Sequence, residues 1–255
     1  MESLAPDLTT PEVREGRPAP GKRVKWVAPE DQGSEIYSAL YLPEDWKKGS
    51  EFPVIVEYAG NKWQTSQGTV EGSSLGYGIS GGEGVIWVCM PFVDRLNQRN
   101  ATNWWGDAAE TVESCKRTLG RICDSFGGDS ANVFIAGFSR GSIACNYIGL
   151  YDDEIAALWQ GFICHSHYEE PGRWPDITQE GAAERLKRLK GRAQFISHEG
   201  SVAPTKRYLE KALPGGNFTF LDLPFPDHTD TWVLRDIPER KVLREWFHDN
   251  LNRND

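Results

Sequence analysis

The chain has 255 residues, enough to bury one sizeable core and within the range of a single large domain. Acidic residues outnumber basic ones by 37 to 28, and the resulting net charge of −9 argues against a nucleic-acid partner. Hydrophobic residues make up 39% and charged residues 25%, as in soluble globular domains. No run of about 18 apolar residues is present to cross a membrane.

Residues 1–22 are polar and rich in Pro and Glu, and predict an extended arm ahead of one folded domain over 23–255. The arm has no apolar h-region, so it is not a signal peptide as it stands; export would require that Met1 replaces a removed leader. VKWV and EIYSALYLP then predict two strands, the second with Ile36, Ser38 and Leu40 alternating against Tyr37, Ala39 and Tyr41. FPVIVEYAG is a continuous apolar run of parallel-strand type. A long glycine-rich loop follows, from Asn61 to Gly84, and loops of that length more often carry function than fill space. GVIWVCMPF is the next buried strand, closed by Pro91.

Residues 104–126 place Ala108, Val112, Cys115, Leu119, Ile122 and Phe126 at helical spacing. GGDSAN reads as a loop, NVFIAG as a strand and RGSIACNYIGLY as a helix. AALWQGFIC, AQFISH and FTFLDLP predict three more strands; EGAAERLKRLKG, PTKRYLEKAL and PERKVLREWFHDNL predict three more helices. Strands that alternate with helices point to an α/β fold, a mainly parallel sheet covered on both faces. The five cysteines are odd in number and form no C-x-x-C, so neither a disulfide framework nor a zinc knuckle is indicated. Cys115 and Cys123 share one predicted helix about 12 Å apart along its axis, too far to bridge, and buried free thiols are expected.

Gly137-Phe138-Ser139-Arg140-Gly141 matches G-x-S-x-G, with a predicted strand before it and a helix after it. That context requires a sharp turn that lifts the Ser139 hydroxyl above the sheet, and the two glycines let strand and helix close on each other. The amide of Arg140 would then point at the site from the helix N-terminus, where a developing oxyanion is stabilised. The plain alternative is a glycine-punctuated turn with Ser139 as an N-cap.

At this point the chain resembles the α/β-hydrolase superfamily, most closely serine esterases of the feruloyl and acetylxylan esterase and polyhydroxyalkanoate depolymerase kind. GDSANVFIAGFSRGS resembles their loop, strand and elbow, and the order of elements is similar over most of residues 35–250. The resemblance implies the α/β-hydrolase fold, ester hydrolysis and a triad in the order Ser, acid, His. It puts the base in the loop after the last strand, where FTFLDLPFPDHTDTW has His228. His248 lies near the end of the final predicted helix and reads as a solvated or capping residue.

The acid departs from the family pattern, which carries an Asp two to four residues past the strand before last. Here Ser201, Val202 and Ala203 stand there, and no aspartate occurs between Asp176 and Asp222. Glu199 is the nearest carboxylate and is the predicted acid; Glu169 or Glu170, after the preceding strand, are the substitutes. Asp230 could cap the histidine loop but is poorly placed to reach the same ring. The second oxyanion donor is predicted from the loop after VIVEYAG, at Gly60 or Asn61.

His165, His167 and Glu169 would face one side of a strand, which invites a metal reading, but no fourth ligand is suggested and serine chemistry needs none. No cofactor is expected; in the glycine-rich segment 68–84 neither a P-loop lysine nor G-x-G-x-x-G before a helix occurs, so nucleotide binding has no support. His165 is instead predicted to line the cleft, and Trp63, Trp104 and Trp105 to form an aromatic wall for a sugar or aromatic group. The predicted substrate is thus a small acyl or aromatic ester of a carbohydrate. Polyester hydrolysis, peptide hydrolysis and a non-catalytic binding module on the same fold are the rivals.

Overall fold

A computed structural model describes residues 4–64 and 66–251. Eight strands form the central sheet: β1 Arg23–Trp26, β2 Ser38–Tyr41, β3 Phe52–Tyr58, β4 Ile86–Met90, β5 Gly128–Phe138, β6 Gly161–His165, β7 Ala193–Glu199 and β8 Phe218–Leu223. Their order across the sheet is β1-β2-β4-β3-β5-β6-β7-β8. β2 runs antiparallel to both β1 and β4, and the remaining pairs are parallel.

The alternation of side chains along each strand sorts the core into two layers. Val54, Val56 and Tyr58 of β3 point to one face with Val133 and Ile135 of β5. The helices α2 (Ala108–Phe126), α3 (Arg140–Tyr147), α4 (Asp153–Ala156), α5 (Gln179–Lys187) and α6 (Ala203–Ala212) cover that face. Ile55, Trp87, Phe134, Ala136 and Ile163 point to the other face, against α1 (Leu75–Ser80) and α7 (Pro238–Asp249). Both faces are therefore dry, which is why the central strands read as unbroken apolar runs. Among the described residues no helix is long and apolar enough to cross a membrane. All five cysteines are free thiols, four of them buried and Cys123 half-buried.

Three segments differ from the sequence expectation. The stretch expected as a loop at GGDSAN belongs to β5 in all but its first residue, Gly127, which caps α2. The pairing of β5 with β3 begins at Gly128↔Phe52 and shifts register before Val54. The Asp129 carboxylate accepts from Ala131 N and Asn132 Nδ2, folding polar residues into the strand's irregular start. AALWQGFIC is a strand only from Gly161, because Asp152 caps the short α4 with bonds to Glu154 N and Ile155 N. The glycine-rich segment is not structureless: it holds a ribbon of Lys62–Trp63 against Ser66–Gln67 and then α1. A Cβ on Gly76 would fall 2.2 Å from the Trp87 ring and one on Gly78 would fall 2.2 Å from Val233, so these glycines let α1 press onto the sheet.

Buried carboxylates anchor this helix. Glu57 at the end of β3 accepts from Leu75 N, Gly76 N and Trp87 Nε1. Asp230, which precedes a single 3-10 turn at Thr231–Leu234, accepts from Ser74 N at 2.9 Å. Burial, aided by the charge of Glu57, pushes the Asp230 pKa up to about 7 from an ordinary 3.8, while Ser74 N–H and Arg23 oppose the rise. Between those two values the folded protein binds the proton that the unfolded chain releases, so stability falls as pH rises through that window. Asp230→Asn keeps an acceptor for Ser74 and removes the buried charge. It should raise the melting temperature by about 3 °C or more near pH 8, with the gain shrinking towards about pH 5. Equal shifts at both pH values in a thermal melt would contradict this account.

The residues ahead of β1 lie along the domain. Asp7 N and Leu8 N donate to Leu234 O, and the Asp7 carboxylate pairs with Arg240 of α7 at 2.7 Å. Isolated bridges join Arg14 to Val24 and Pro20 to Leu42.

Candidate active site

The sequence turns sharply between β5 and α3, and Ser139 is the residue at the bend, with φ 55° and ψ −116°. Such a conformation costs a serine about 1–3 kcal/mol, so the surroundings must enforce it. They do so by proximity. A Cβ on Gly137 would meet the Gly141 carbonyl carbon at 2.1 Å, and one on Gly141 would meet the Tyr58 carbonyl oxygen at 1.7 Å. Ser139 N donates to His165 O at 3.0 Å, which ties the bend to β6.

His228 lies in the loop after β8, with Nε2 3.2 Å from Ser139 Oγ and Nδ1 2.7 Å from Glu199 Oε1. Glu199 is the last residue of β7, so the sheet itself holds the carboxylate in place. Burial works against its ionisation, but the hydrogen bond from His228 and smaller contributions outweigh it and bring its pKa down to about 2. The other carboxylates weighed for this role bond elsewhere. Glu169 accepts from buried Arg185 at 2.6 Å, Glu170 pairs with Arg173, and Asp230 holds Ser74.

The Arg140 side chain was invisible to the sequence reading, which used only its amide. It is 1% exposed and lies over the Phe92 ring at 4.0 Å. Its guanidinium donates to five carbonyls: Ala59 and Gly60 after β3, Gly68, Ala101 and Trp104. Burial lowers its pKa to about 9, so it is charged at neutral pH. One cation thus gathers the loops that border Ser139. Gly60 lies beside Ser139: a Cβ on it would be 3.3 Å from the Phe138 ring and 3.4 Å from Ser139 Cβ. The Asn61 side chain accepts from Trp104 N at 2.8 Å, which ties the loop after β3 to the Trp104 turn.

Above Ser139 opens a cavity of about 670 Å³. Trp63 borders it at 69% exposure, and Trp104 and Trp174 form a second aromatic side, their rings 6.3 Å apart. His167 stacks between Trp174 and His228 at 4.8 Å and 5.1 Å. Burial, with the nearby charge of Arg173, lowers its pKa to about 4, so it is a neutral wall at pH 7. Among the described lining residues none is a carboxylate, and Lys62 lies at the rim. Trp174 escaped the sequence reading because nothing local marks it; it reaches the cavity from the segment before α5.

Two expectations are corrected. Trp105 is 3% exposed and packs on Tyr147 and Phe92, with Nε1 donating to Pro175 O, so it belongs to the core and not to the cavity. Trp104 has φ 48° and Gly106 φ 58°; the two indoles touch, with ring centroids 5.8 Å apart, and of the pair it is Trp104 that borders the cavity. His165 does not line the cleft either. It is fully buried, accepts from Ser197 Oγ at Nδ1 and donates from Nε2 to Thr229 O at 3.0 Å, bracing the His228 loop from behind. Burial lowers its pKa to about 4, which keeps this brace neutral. His165, His167 and Glu169 therefore face three different sets of partners, and among the described residues no three side chains gather in a metal-binding cluster.

No family model matches the chain, and no curated protein matches it. Solved structures do. A thermostable esterase is 15% identical with a TM-score of 0.57, over 89% of this chain and 62% of its own. Esterase 2 of Thermogutta terrifontis is 14% identical with a TM-score of 0.57, over 87% of this chain and 96% of its own. An isopeptidase is 14% identical with a TM-score of 0.59, over 89% of this chain and 40% of its own. With the strand order described above, this likeness shows the α/β-hydrolase fold.

Proposed function

We propose that the protein is a serine carboxylic-ester hydrolase that works through an acyl-enzyme. The observation that carries this reading is the continuous chain Ser139 Oγ, His228 Nε2, His228 Nδ1 and Glu199 Oε1, with links of 3.2 Å and 2.7 Å around the ring. His228 Nε2 takes the hydroxyl proton as Ser139 Oγ bonds to the ester carbonyl carbon. Ionised Glu199 orients the ring and stabilises the imidazolium. The carbonyl oxygen, now an oxyanion, is held by the amides of Arg140 and of Gly60 or Asn61. The C–O bond to the alcohol breaks and His228 returns the proton to it. Water then repeats the sequence on the acyl-enzyme, and the acid leaves with Ser139 restored.

The substrate reading is a small acyl or aromatic ester of a carbohydrate. The indoles of Trp63, Trp104 and Trp174 offer flat apolar faces to a sugar or an aromatic ring. The absence of a carboxylate among the described lining residues disfavours a peptide's free α-ammonium group. A non-catalytic module would have no use for an activated serine, and that difference supplies the test. A fluorophosphonate probe should label the protein once, with the modified peptide carrying Ser139. Absence of labelling would sink the catalytic reading, whereas labelling with turnover of peptides or polyesters alone would overturn the substrate class.

A further inference from the structure

Ser166 has no part in the mechanism above, yet its backbone marks it out. It follows β6 with φ 81°, in the left-handed region where a serine is strained and a glycine is not. It is 3% exposed, so a preference for solvent does not account for the side chain. Its hydroxyl sits at the junction of the two groups that matter most to the base. Oγ donates to Glu199 Oε1 at 3.0 Å and lies 2.9 Å from His228 Nδ1. The flanking backbone is tied down as well: Ser166 N donates to Ser197 O at 2.7 Å, and Ser166 O accepts from His167 Nδ1 at 2.9 Å.

A hydroxyl has one proton to give and two lone pairs to offer. With the proton spent on Glu199, a lone pair faces the Nδ1–H of His228, which is then shared between a carboxylate and a hydroxyl. We propose that Ser166 is a positioning residue for this site: it locks the His228 ring and the Glu199 carboxylate to each other and holds the tautomer whose Nε2 is free to accept the Ser139 proton. The hydrogen bonds explain why a strained serine stands where glycine would fit without cost. The kinetic side of this inference rests on the ester-hydrolase reading; the spectroscopic side does not.

The test uses two variants of the full chain. Ser166→Ala removes the hydroxyl and keeps the strained Cβ, whereas Ser166→Gly removes both. In each, kcat should fall by about 10- to 100-fold with KM within about twofold, the pattern of a misplaced base with binding intact. Ser166→Gly should melt no lower than Ser166→Ala, because its backbone is relaxed. The His228 Nδ1 proton resonance, assigned by its loss in His228→Ala, should move in both variants. A kcat within about twofold of the parent, or an unmoved resonance, overturns the proposal. So does a kcat loss confined to Ser166→Ala and matched by a lower melting temperature, since that is the mark of a structural role. If the parent protein turns over no ester, the functional reading fails, and the resonance still decides whether Ser166 positions the ring.

Discussion

Ser139→Ala is expected to reduce hydrolysis of p-nitrophenyl acetate by roughly 10³- to 10⁶-fold, with fluorophosphonate labelling abolished. The range is wide because the rest of the site survives the change. The amides around Gly60 and the His228–Glu199 pair would still polarise a bound ester, and such remnants leave a residual rate above that of water. Ser139→Gly sharpens the argument. The bend at φ 55° strains any residue with a Cβ, so glycine relieves the turn while deleting the hydroxyl proposed to attack. That variant should be as inactive as Ser139→Ala yet melt no lower than the parent. Opposed effects on activity and stability at one position would show that the strain serves the placement of the hydroxyl. Retention of more than about a tenth of the parent rate in both variants would remove Ser139 from the chemistry.

What could be seen in the sequence was what is local. The Gly137–Gly141 pattern is contiguous, and its geometry follows from two missing Cβ atoms, so the bend was legible before any contact was known. The alternation of apolar runs with helical periods gave the parallel sheet for the same reason. Glu199 was legible only as the nearest carboxylate past β7, and the contact that distinguishes it from Glu169 and Glu170 spans 29 residues. Ser166 and the Arg140 guanidinium were out of reach. Their partners come from distant segments, and a polar residue flanking a strand looks alike whether it faces water or a carboxylate. Trp105 and His165 failed for a related reason. Trp105 touches Trp104 yet packs on Tyr147 and Phe92, and His165 stands just before Ser166, whose positive φ turns the chain, so neighbours in sequence need not share surroundings.

Glu199→Gln is the second large effect expected. Glutamine matches the carboxylate in size, but its amide can turn an N–H towards His228 Nδ1. The ring would then carry its proton on Nε2, facing Ser139, and could not act as the base. A loss of about 10²- to 10⁴-fold in kcat follows, with KM little changed. Glu199→Asp should fall between, because it keeps the charge and shortens the arm that reaches across 2.7 Å. Stability provides an independent check. The folded protein holds the Glu199 pKa at about 2, below its ordinary 4.5, so the unfolded chain binds the extra proton in that interval. The carboxylate therefore contributes stability that is present above pH 4.5 and is lost as pH falls towards 2. Glu199→Gln abolishes this dependence. Its melting temperature should lie below that of the parent near neutral pH, and the gap should close on acidification below about pH 4. A gap that stays constant with pH would mean that the hydrogen bond from His228 does not stabilise the ionised Glu199 carboxylate.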